Sequence, residues 1–125
     1  MGASLDGIKA VFLDLDGTIY LGGNLISGAL EFLNRCDEQG VQRFFLSNNS
    51  SRSVSQYVKK LEGMGIPATA DDVLLSTHDC ISWLHKNNIT KTYCVGTEGM
   101  CQMLEAEGIG TRSLNPQYVV LGYDT

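Results

Sequence analysis

The sequence lacks the features of exported and membrane-bound proteins. The N-terminal residues, MGASLDGIKAVFLDL, contain no basic segment followed by a long apolar stretch, so no secretory signal is recognisable. No apolar run approaches the ~20 residues that a membrane-spanning helix needs. We therefore expect a cytoplasmic protein that contacts no membrane.

The sequence is also poor in motifs that bind nucleic acids or nucleotides. Its 125 residues include nine Lys and Arg against 14 Asp and Glu, which gives a formal net charge of −5. No Lys/Arg cluster with interleaved aromatic residues occurs, whereas nucleic-acid-binding domains usually present a basic face. Neither G-x-x-x-x-G-K-[ST] nor a G-x-G-x-x-G sequence after a strand is present. We therefore predict no nucleic-acid partner and neither of these nucleotide loops.

Cysteine and histidine are few and show no metal-binding pattern. The four cysteines are Cys36, Cys80, Cys94 and Cys101. They form no C-x-x-C pair, and in a chain without an export signal we expect free, mostly buried thiols. His78 and His85 lie seven residues apart without a carboxylate at ligand spacing, so we expect ordinary surface or boundary residues.

Strand and helix patterns alternate along the chain. The first apolar run is almost uninterrupted, as in strands that are covered on both faces. The five predicted strands are Lys9–Leu13, Gln42–Leu46, Val73–Leu75, Thr92–Val95 and Tyr118–Leu121. Amphipathic helices fall between them, with Ser27 and Ser76-Thr77 as predicted N-caps and Gly40 as a C-terminal glycine. This order predicts an α/β fold with a mainly parallel sheet.

Polar residues follow the first two predicted strands at the point where each strand ends. Asp14-Leu15-Asp16-Gly17-Thr18 comes after the first strand, and Ser47-Asn48-Asn49 follows the second. In open α/β sheets, ligands bind outside the carboxyl ends of the strands. Either segment alone could be a surface turn, but two polar segments at one sheet edge predict a site.

The residue types in these segments suit phosphate chemistry. Mg²⁺ commonly takes one or two protein carboxylates together with phosphate oxygens. A carboxylate such as Asp14 can attack phosphorus, and Asp16 can protonate the leaving oxygen and later activate water. Gly17 permits close backbone approach to an anion, and polar groups at the start of the helix after Ser53 are further candidate donors.

The segments VFLDLDGTIY and FFLSNNSSRS resemble motifs one and two of the haloacid dehalogenase (HAD) superfamily of phosphatases. Tyr20 and the later segments YCVGTEGMCQMLEAEGI and YVVLGYD are similar to subfamily IIA, which includes the NagD-like and 4-nitrophenylphosphatase-like enzymes. By this resemblance, Asp14 is the nucleophile and a Mg²⁺ ligand, and Asp16 is the general acid/base and lends its backbone carbonyl to Mg²⁺ as a second ligand. The implied phosphate-binding residues are Ser47, Asn48, Gly17 and Thr18.

The resemblance also implies a domain organisation. Subfamily IIA has a Rossmann-like core with a C2-type α/β cap inserted after the third strand, so residues 1–82 would be the first half of the core and residues 83–125 the beginning of the cap. The lysine motif and the acidic motif that follow the cap in the family have no counterpart in this sequence; Asp71-Asp72 precedes a strand, at the wrong edge. We therefore expect a fragment or short form with open apolar faces that are covered by a homo-oligomer or by a missing C-terminal half.

Three functions stay open on this basis. The leading hypothesis is a Mg²⁺-dependent phosphatase acting on a small phosphorylated metabolite, inactive alone if the missing motifs are essential. A receiver-like phosphoacceptor module would need a phosphoacceptor on a later strand and a lysine near the end, and neither is evident. A non-catalytic HAD-like interaction domain would keep the fold, but nothing structural requires both Asp14 and Asp16.

Overall fold

The structure is a computed structural model that describes residues 4–123; residues 1–3 and 124–125, at the ends of the two predicted domains, lie outside the described residues. The described chain alternates between strands and helices, which confirms the predicted α/β class. The strands are β1 (Ala10–Asp14), β2 (Tyr20–Leu21), β3 (Asn24–Leu25), β4 (Gln42–Ser47), β5 (Val73–Leu75), β6 (Thr92–Val95) and β7 (Tyr118–Leu121). The helices are α1 (Ala29–Glu38), α2 (Val54–Gly63), α3 (Ser76–Lys86) and α4 (Glu98–Ala106), and Ala70–Asp72 form a 3₁₀ turn.

The chain packs as two compact units. The first unit comprises Met1–Ser47 with Val58–Leu74, and the second comprises Asn48–Tyr57 with Leu75–Thr125. These units describe packing within this chain. The assignment of residues 1–82 to a core domain and 83–125 to a cap stays a prediction.

A parallel sheet forms the centre of the first unit. Its strands are in the order β1-β4-β5, and β1 pairs in parallel with β4 from Ala10↔Gln42 to Asp14↔Leu46. The Phe12 and Phe44 rings stack across this pair with centroids 5.2 Å apart. Phe12 nevertheless remains 59% exposed, so this face of the sheet presents apolar surface to solvent.

A short hairpin follows the first strand of the sheet. β2 and β3 pair antiparallel, with Tyr20 opposite Leu25. Two-residue strands are too short to show a periodic pattern, so this hairpin is not among the strands predicted from the sequence. Tyr20 is fully buried, and the Lys60 amino group of α2 lies 4.0 Å from the centroid of its ring, which adds a cation–π contact at the base of the hairpin.

The ends of α1 correct one predicted cap and confirm another. The N-cap is Gly28, with φ of 90°, and no side chain caps the helix there, so the prediction of Ser27 as N-cap was wrong. A positive φ at this position favours glycine over serine, because glycine adopts it without strain. Gly40, with φ of 69°, follows the last helical residues as predicted.

The start of α3 also differs from the prediction. Ser76 and Thr77 lie inside the helix, and the N-cap is Leu75, which has no polar side chain. The ring nitrogen Nδ1 of His78 instead accepts a hydrogen bond from the Leu75 backbone N–H at 2.9 Å. The His78 side chain, in the first turn of the helix, therefore makes the capping contact that the sequence analysis assigned to Ser76 and Thr77.

The second unit is built on the parallel β6–β7 pair with α3 and α4. In the β6–β7 register, Thr92 lies opposite Tyr118. Its buried apolar cluster consists of Ile81, Leu84, Ile89, Met100, Leu104, Ile109 and Val120. Met100 is part of this cluster, and the partly buried Met103 packs against it. Among the described residues, no helix combines the length and apolarity needed to cross a membrane.

Candidate active site

A buried leucine holds the two carboxylates of the first motif in place. Leu15 is fully buried between Asp14 and Asp16, which are both exposed. The Leu15 carbonyl oxygen accepts hydrogen bonds from the N–H groups of Thr18 at 3.1 Å and Ile19 at 3.0 Å. Because the turn is closed on Leu15 and Leu15 is anchored in the core, both carboxylates face solvent at the end of β1.

The strand register brings the two motifs to the same edge of the sheet. Asp14, the last residue of β1, pairs with Leu46, and Ser47 is the next and last residue of β4. Adjacent strands lie about 4.8 Å apart, so Asp14 and Ser47 lie at neighbouring strand ends. Ser47 is buried, with 6% of its surface exposed. Asn48 follows directly in the chain, is exposed, and belongs to the second unit.

The backbone around Gly17 and Thr18 is already hydrogen-bonded within the turn. Gly17 has φ of 84° and donates its N–H to the Tyr20 carbonyl oxygen at 2.7 Å, and the Thr18 N–H is held by Leu15. These two donors are therefore engaged in the described structure. The exposed Thr18 hydroxyl is the remaining phosphate-binding group of this pair, and the assignment of both residues to phosphate binding stays a prediction.

The loop that follows β4 also satisfies its own donors. The Asn49 Oδ1 atom accepts from the Ser51 N–H at 2.9 Å. At the start of α2, Gln56 Oε1 accepts from the Ser53 N–H at 2.7 Å, while Ser53 Oγ accepts from the Gln56 N–H at 3.3 Å. This reciprocal capping occupies N–H groups at the start of the helix that were candidate anion donors. In this loop, Ser47 and Asn48 are therefore the remaining residues predicted to bind phosphate.

The first motif contains oxygen donors of the kind that a Mg²⁺ site uses. Mg²⁺ typically binds through one or two protein carboxylates and completes its shell with water and substrate oxygens. Asp14 and Asp16 are exposed oxygen donors of that kind. Between residues 4 and 123, no group of three or more His, Cys, Asp or Glu side chains could hold a metal by itself. The two carboxylates thus fit a Mg²⁺ ion that takes its other ligands from elsewhere.

The histidines have structural partners. The Nδ1 atom of His78 caps α3, as described above, and the Nε2 atom of His85 lies 2.9 Å from the carbonyl oxygen of Glu107. Both contacts are to backbone groups. Both side chains are exposed, as predicted for ordinary surface residues.

The cysteines are free, but their burial differs from the prediction. Cys36 is buried, whereas the other three are half-buried, so "mostly buried" was wrong. Burial raises the pKa of the Cys36 and Cys80 thiols. Burial, together with the neighbouring Cys101 thiol, raises the pKa of Cys94 to about 12. The proximity of Cys94 and Cys101, seven residues apart on different elements, had no sequence signal.

Comparison with known proteins assigns the family. The sequence model of haloacid dehalogenase-like hydrolases matches residues 11–110, which include both motifs. The chain belongs to this family. The resemblance seen in the sequence is thereby confirmed. Members of this family are hydrolases, so the match favours the phosphatase hypothesis over the receiver-like module.

Curated relatives of this family are longer than the chain. The 5′-nucleotidase YutF of Bacillus subtilis (strain 168) is 36% identical over 119 residues, which are 93% of this chain and 46% of that protein. An acid sugar phosphatase of Staphylococcus saprophyticus is 33% identical over 118 residues, with the same shares. The chain therefore spans about half the length of the curated relatives it matches.

Solved structures have the same fold. A nagD protein has a TM-score of 0.89 at 36% identity, covering 98% of this chain and 49% of that one. The 4-nitrophenylphosphatase of Thermotoga maritima has a TM-score of 0.89 at 36% identity, with shares of 97% and 47%. A glycerol phosphate phosphatase of Mycobacterium tuberculosis in complex with magnesium has a TM-score of 0.82 at 27% identity, with shares of 93% and 36%. That phosphatase is also known in complex with calcium.

Proposed function

We propose that this chain carries the nucleophile and metal-binding residues of a Mg²⁺-dependent phosphatase that hydrolyses small phosphomonoesters. The observation that carries the proposal is the pair of exposed carboxylates, Asp14 and Asp16, held on either side of the buried Leu15 at the carboxyl end of β1. Membership of the HAD-like hydrolases supports it, as do the phosphatase and 5′-nucleotidase names of the relatives.

In this proposal Asp14 is the nucleophile. One of its carboxylate oxygens attacks the phosphorus of the substrate, and the bond between phosphorus and the leaving oxygen breaks, which forms an aspartyl-phosphate. Asp16 donates a proton to the leaving oxygen. It then takes a proton from a water molecule, which attacks the aspartyl-phosphate and restores the Asp14 carboxylate with release of phosphate.

The local structure supports this division of roles. Asp14 is the last residue of a strand that is paired along its whole length, so its backbone is fixed. Asp16 is two residues further on, in the turn closed by the hydrogen bonds to Leu15. A nucleophile needs a fixed position, whereas an acid that serves first the leaving group and then water needs access to solvent, and Asp16 is exposed.

A divalent cation fits the same two residues. The Asp14 carboxylate and the Asp16 backbone carbonyl would hold Mg²⁺, which when bound would offset the negative charge of the Asp14 carboxylate and the phosphate. The neighbouring phosphatase that was solved with magnesium supports this assignment, and its calcium complex indicates that the cation must be tested directly. Ser47, Asn48 and the Thr18 hydroxyl are the groups proposed to hold the phosphoryl oxygens.

The test is hydrolysis of 4-nitrophenyl phosphate by the purified chain, with Mg²⁺ and with EDTA. The nucleophile is removed by Asp14→Asn, and the matched control is Asp71→Asn, which changes another exposed aspartate in the 3₁₀ turn of the first unit. We expect turnover that requires Mg²⁺, survives Asp71→Asn, and falls at least about a thousand-fold in Asp14→Asn, as when other catalytic nucleophiles are removed.

Two results would contradict the proposal in different ways. Turnover that persists in Asp14→Asn or in EDTA would reject Asp14 as nucleophile or the metal requirement. A folded chain that binds Mg²⁺ through Asp14 but shows no turnover would reject hydrolysis by this chain alone, while the metal site would stand.

A further inference from the structure

A small cavity lies at the N-terminal end of α3, within the second unit. Its volume is about 180 Å³. Cavities that hold drug-sized molecules span roughly 300–1,000 Å³, so an occupant of this one has few non-hydrogen atoms. Its lining combines hydroxyl side chains with a thiol and apolar side chains. These residues include Ser50, Ser76, Thr77, Cys80, Met100 and Val120.

Thr77 is the residue of this lining that points to a ligand. It is only 1% exposed, and its hydroxyl has no hydrogen-bonding partner among residues 4–123. Buried polar groups in folded proteins are almost always hydrogen-bonded, because an unpaired one loses its contacts with water and gains none in return. The Thr77 hydroxyl therefore indicates a partner that comes from outside the chain.

The groups around Thr77 provide further hydrogen-bond donors. Ser50 Oγ accepts a hydrogen bond from the Tyr123 N–H at 2.7 Å, so its own hydrogen can be donated to a ligand. Ser76 Oγ donates to the Asn48 carbonyl oxygen at 3.3 Å. The N-cap residue Leu75 has no polar side chain that could accept from the N–H groups of the first turn of α3. This end of the cavity therefore suits a group that accepts hydrogen bonds.

We propose that this cavity binds a short-chain monocarboxylate. The carboxylate only accepts hydrogen bonds, and it takes the hydrogens of the Ser50 and Thr77 hydroxyls at the positive end of the α3 dipole. The alkyl chain packs against Met100 and Val120, which are both buried. None of the lining residues takes part in the proposed phosphatase chemistry, so the two proposals are independent.

The composition of the lining favours a monocarboxylate over other small ions. No Lys or Arg of the described residues lines the cavity, so a phosphate dianion would face thioether and alkyl groups without a counter-charge. An ammonium ion would meet donors instead of acceptors at the start of α3. Asp79, the acidic residue of this first turn, is exposed and is not part of the lining.

The test is protection of Cys80 from alkylation in the folded full chain, with EDTA present so that no divalent cation is bound. Cys80 is half-buried and lines this cavity, whereas the half-buried Cys101 lines a separate cavity of about 570 Å³. Iodoacetamide labelling of each cysteine is followed by mass spectrometry, and the probe is butyrate.

Butyrate should protect Cys80 selectively. At ten times the Kd obtained by titration, it should slow the labelling of Cys80 about tenfold and leave that of Cys101 unchanged. Two further compounds separate the parts of the ligand. 1-Butanol lacks the carboxylate and inorganic phosphate lacks the alkyl chain, so neither should protect Cys80 at the same concentration.

Thr77→Val tests the role of the buried hydroxyl, because valine keeps the branched shape of the side chain. Without butyrate this variant should have an unchanged or higher Tm, since the lost hydroxyl has no partner in the chain. Its Kd for butyrate should rise at least about tenfold, because a hydrogen bond to a charged group is lost. Thr90→Val is the matched control: it makes the same change at an exposed threonine of the second unit and should bind butyrate like the wild type.

Four results would overturn the proposal. They are labelling of Cys80 that butyrate does not slow, equal protection by 1-butanol or by phosphate, wild-type affinity for butyrate in Thr77→Val, and a clear fall in the Tm of Thr77→Val without butyrate. Labelling of the wild-type chain decides the matter even where a variant fails to fold. Because the assay involves neither Mg²⁺ nor turnover, a failure of the proposed phosphatase function leaves its result intact.

Discussion

Asp14 pairs with Leu46 in the parallel register of β1 and β4, so the carboxylate that ends one strand lies one residue short of the level of Ser47 at the end of the next. This relationship places an exposed carboxylate beside a buried hydroxyl at neighbouring strand ends. Asp16 lies two residues beyond Asp14, in a turn rather than in the strand. The two carboxylates therefore have different backbone environments, as two different catalytic roles require.

The proposed acid role of Asp16 predicts a dependence on the leaving group. Asp16→Asn should reduce hydrolysis of an alkyl phosphate such as glycerol phosphate by about 10²–10⁴-fold, because an alkoxide leaves poorly without a proton. Hydrolysis of 4-nitrophenyl phosphate should fall less, since nitrophenolate leaves without protonation. Steady-state kcat/KM for both substrates measures the difference.

Asp14→Asn is the control for this comparison. Removal of the nucleophile should reduce kcat/KM for both substrates by similar factors, because the attack on phosphorus is common to both reactions. If Asp16→Asn also reduced kcat/KM equally for the two substrates, Asp16 would not act as the acid for the leaving group.

The proposed metal site predicts Mg²⁺-dependent stability. A ligand that binds only the folded state stabilises it by about 2.7 kcal/mol at one hundred times its Kd. We expect Mg²⁺ to raise the Tm of the wild-type chain, EDTA to reverse the rise, and Asp14→Asn to abolish the Mg²⁺-dependent part, whereas Asp16→Asn, which leaves the Asp16 backbone carbonyl in place, should retain most of it. Asp71→Asn should keep it. An equal Mg²⁺ effect in all four proteins would place the cation elsewhere.

Much of the fold and the centre of the site were predictable because their signals are local. The apolar run before Asp14 gave β1 to within one residue at each end. The alternation of strands and helices then implied parallel pairing, and parallel pairing implied that Asp14 and Ser47 share a sheet edge. Each step uses spacing along the chain, which the sequence displays directly.

The features that escaped prediction are backbone conformations and hydrogen bonds that leave no periodic pattern in the sequence. The α1 cap was wrong because the backbone at Gly28 takes a positive φ, which no residue pattern reveals. The Gly17 N–H donates to the carbonyl oxygen of Tyr20, three residues further along, in a hairpin too short to be recognised from the sequence pattern. The phosphate-binding role of Ser47 stays a prediction.

The conformation of Gly17 predicts a stability cost for a side chain at this position. Its φ is 84°, and a Cβ added there would meet no atom within 4 Å. The cost of Gly17→Ala is therefore conformational rather than steric, about 1–2 kcal/mol of unfolding free energy. Gly23→Ala is the matched control, since Gly23 lies in the adjacent hairpin, has no positive φ and is equally open. Urea denaturation without Mg²⁺ measures both, and equal stability of Gly17→Ala and wild type would contradict the prediction.

The raised pKa of Cys94 predicts a loss of stability at alkaline pH. The thiol ionises near 9.0 in the unfolded chain and near about 12 in the folded one, chiefly because of burial. Between these values the unfolded state binds fewer protons than the folded state, so the free energy of unfolding falls as pH rises. Urea denaturation under reducing conditions across this range should give a steeper fall for the wild-type chain than for Cys94→Ser, which has no thiol to ionise. An equally steep fall in Cys94→Ser would show that other groups cause the alkaline loss of stability.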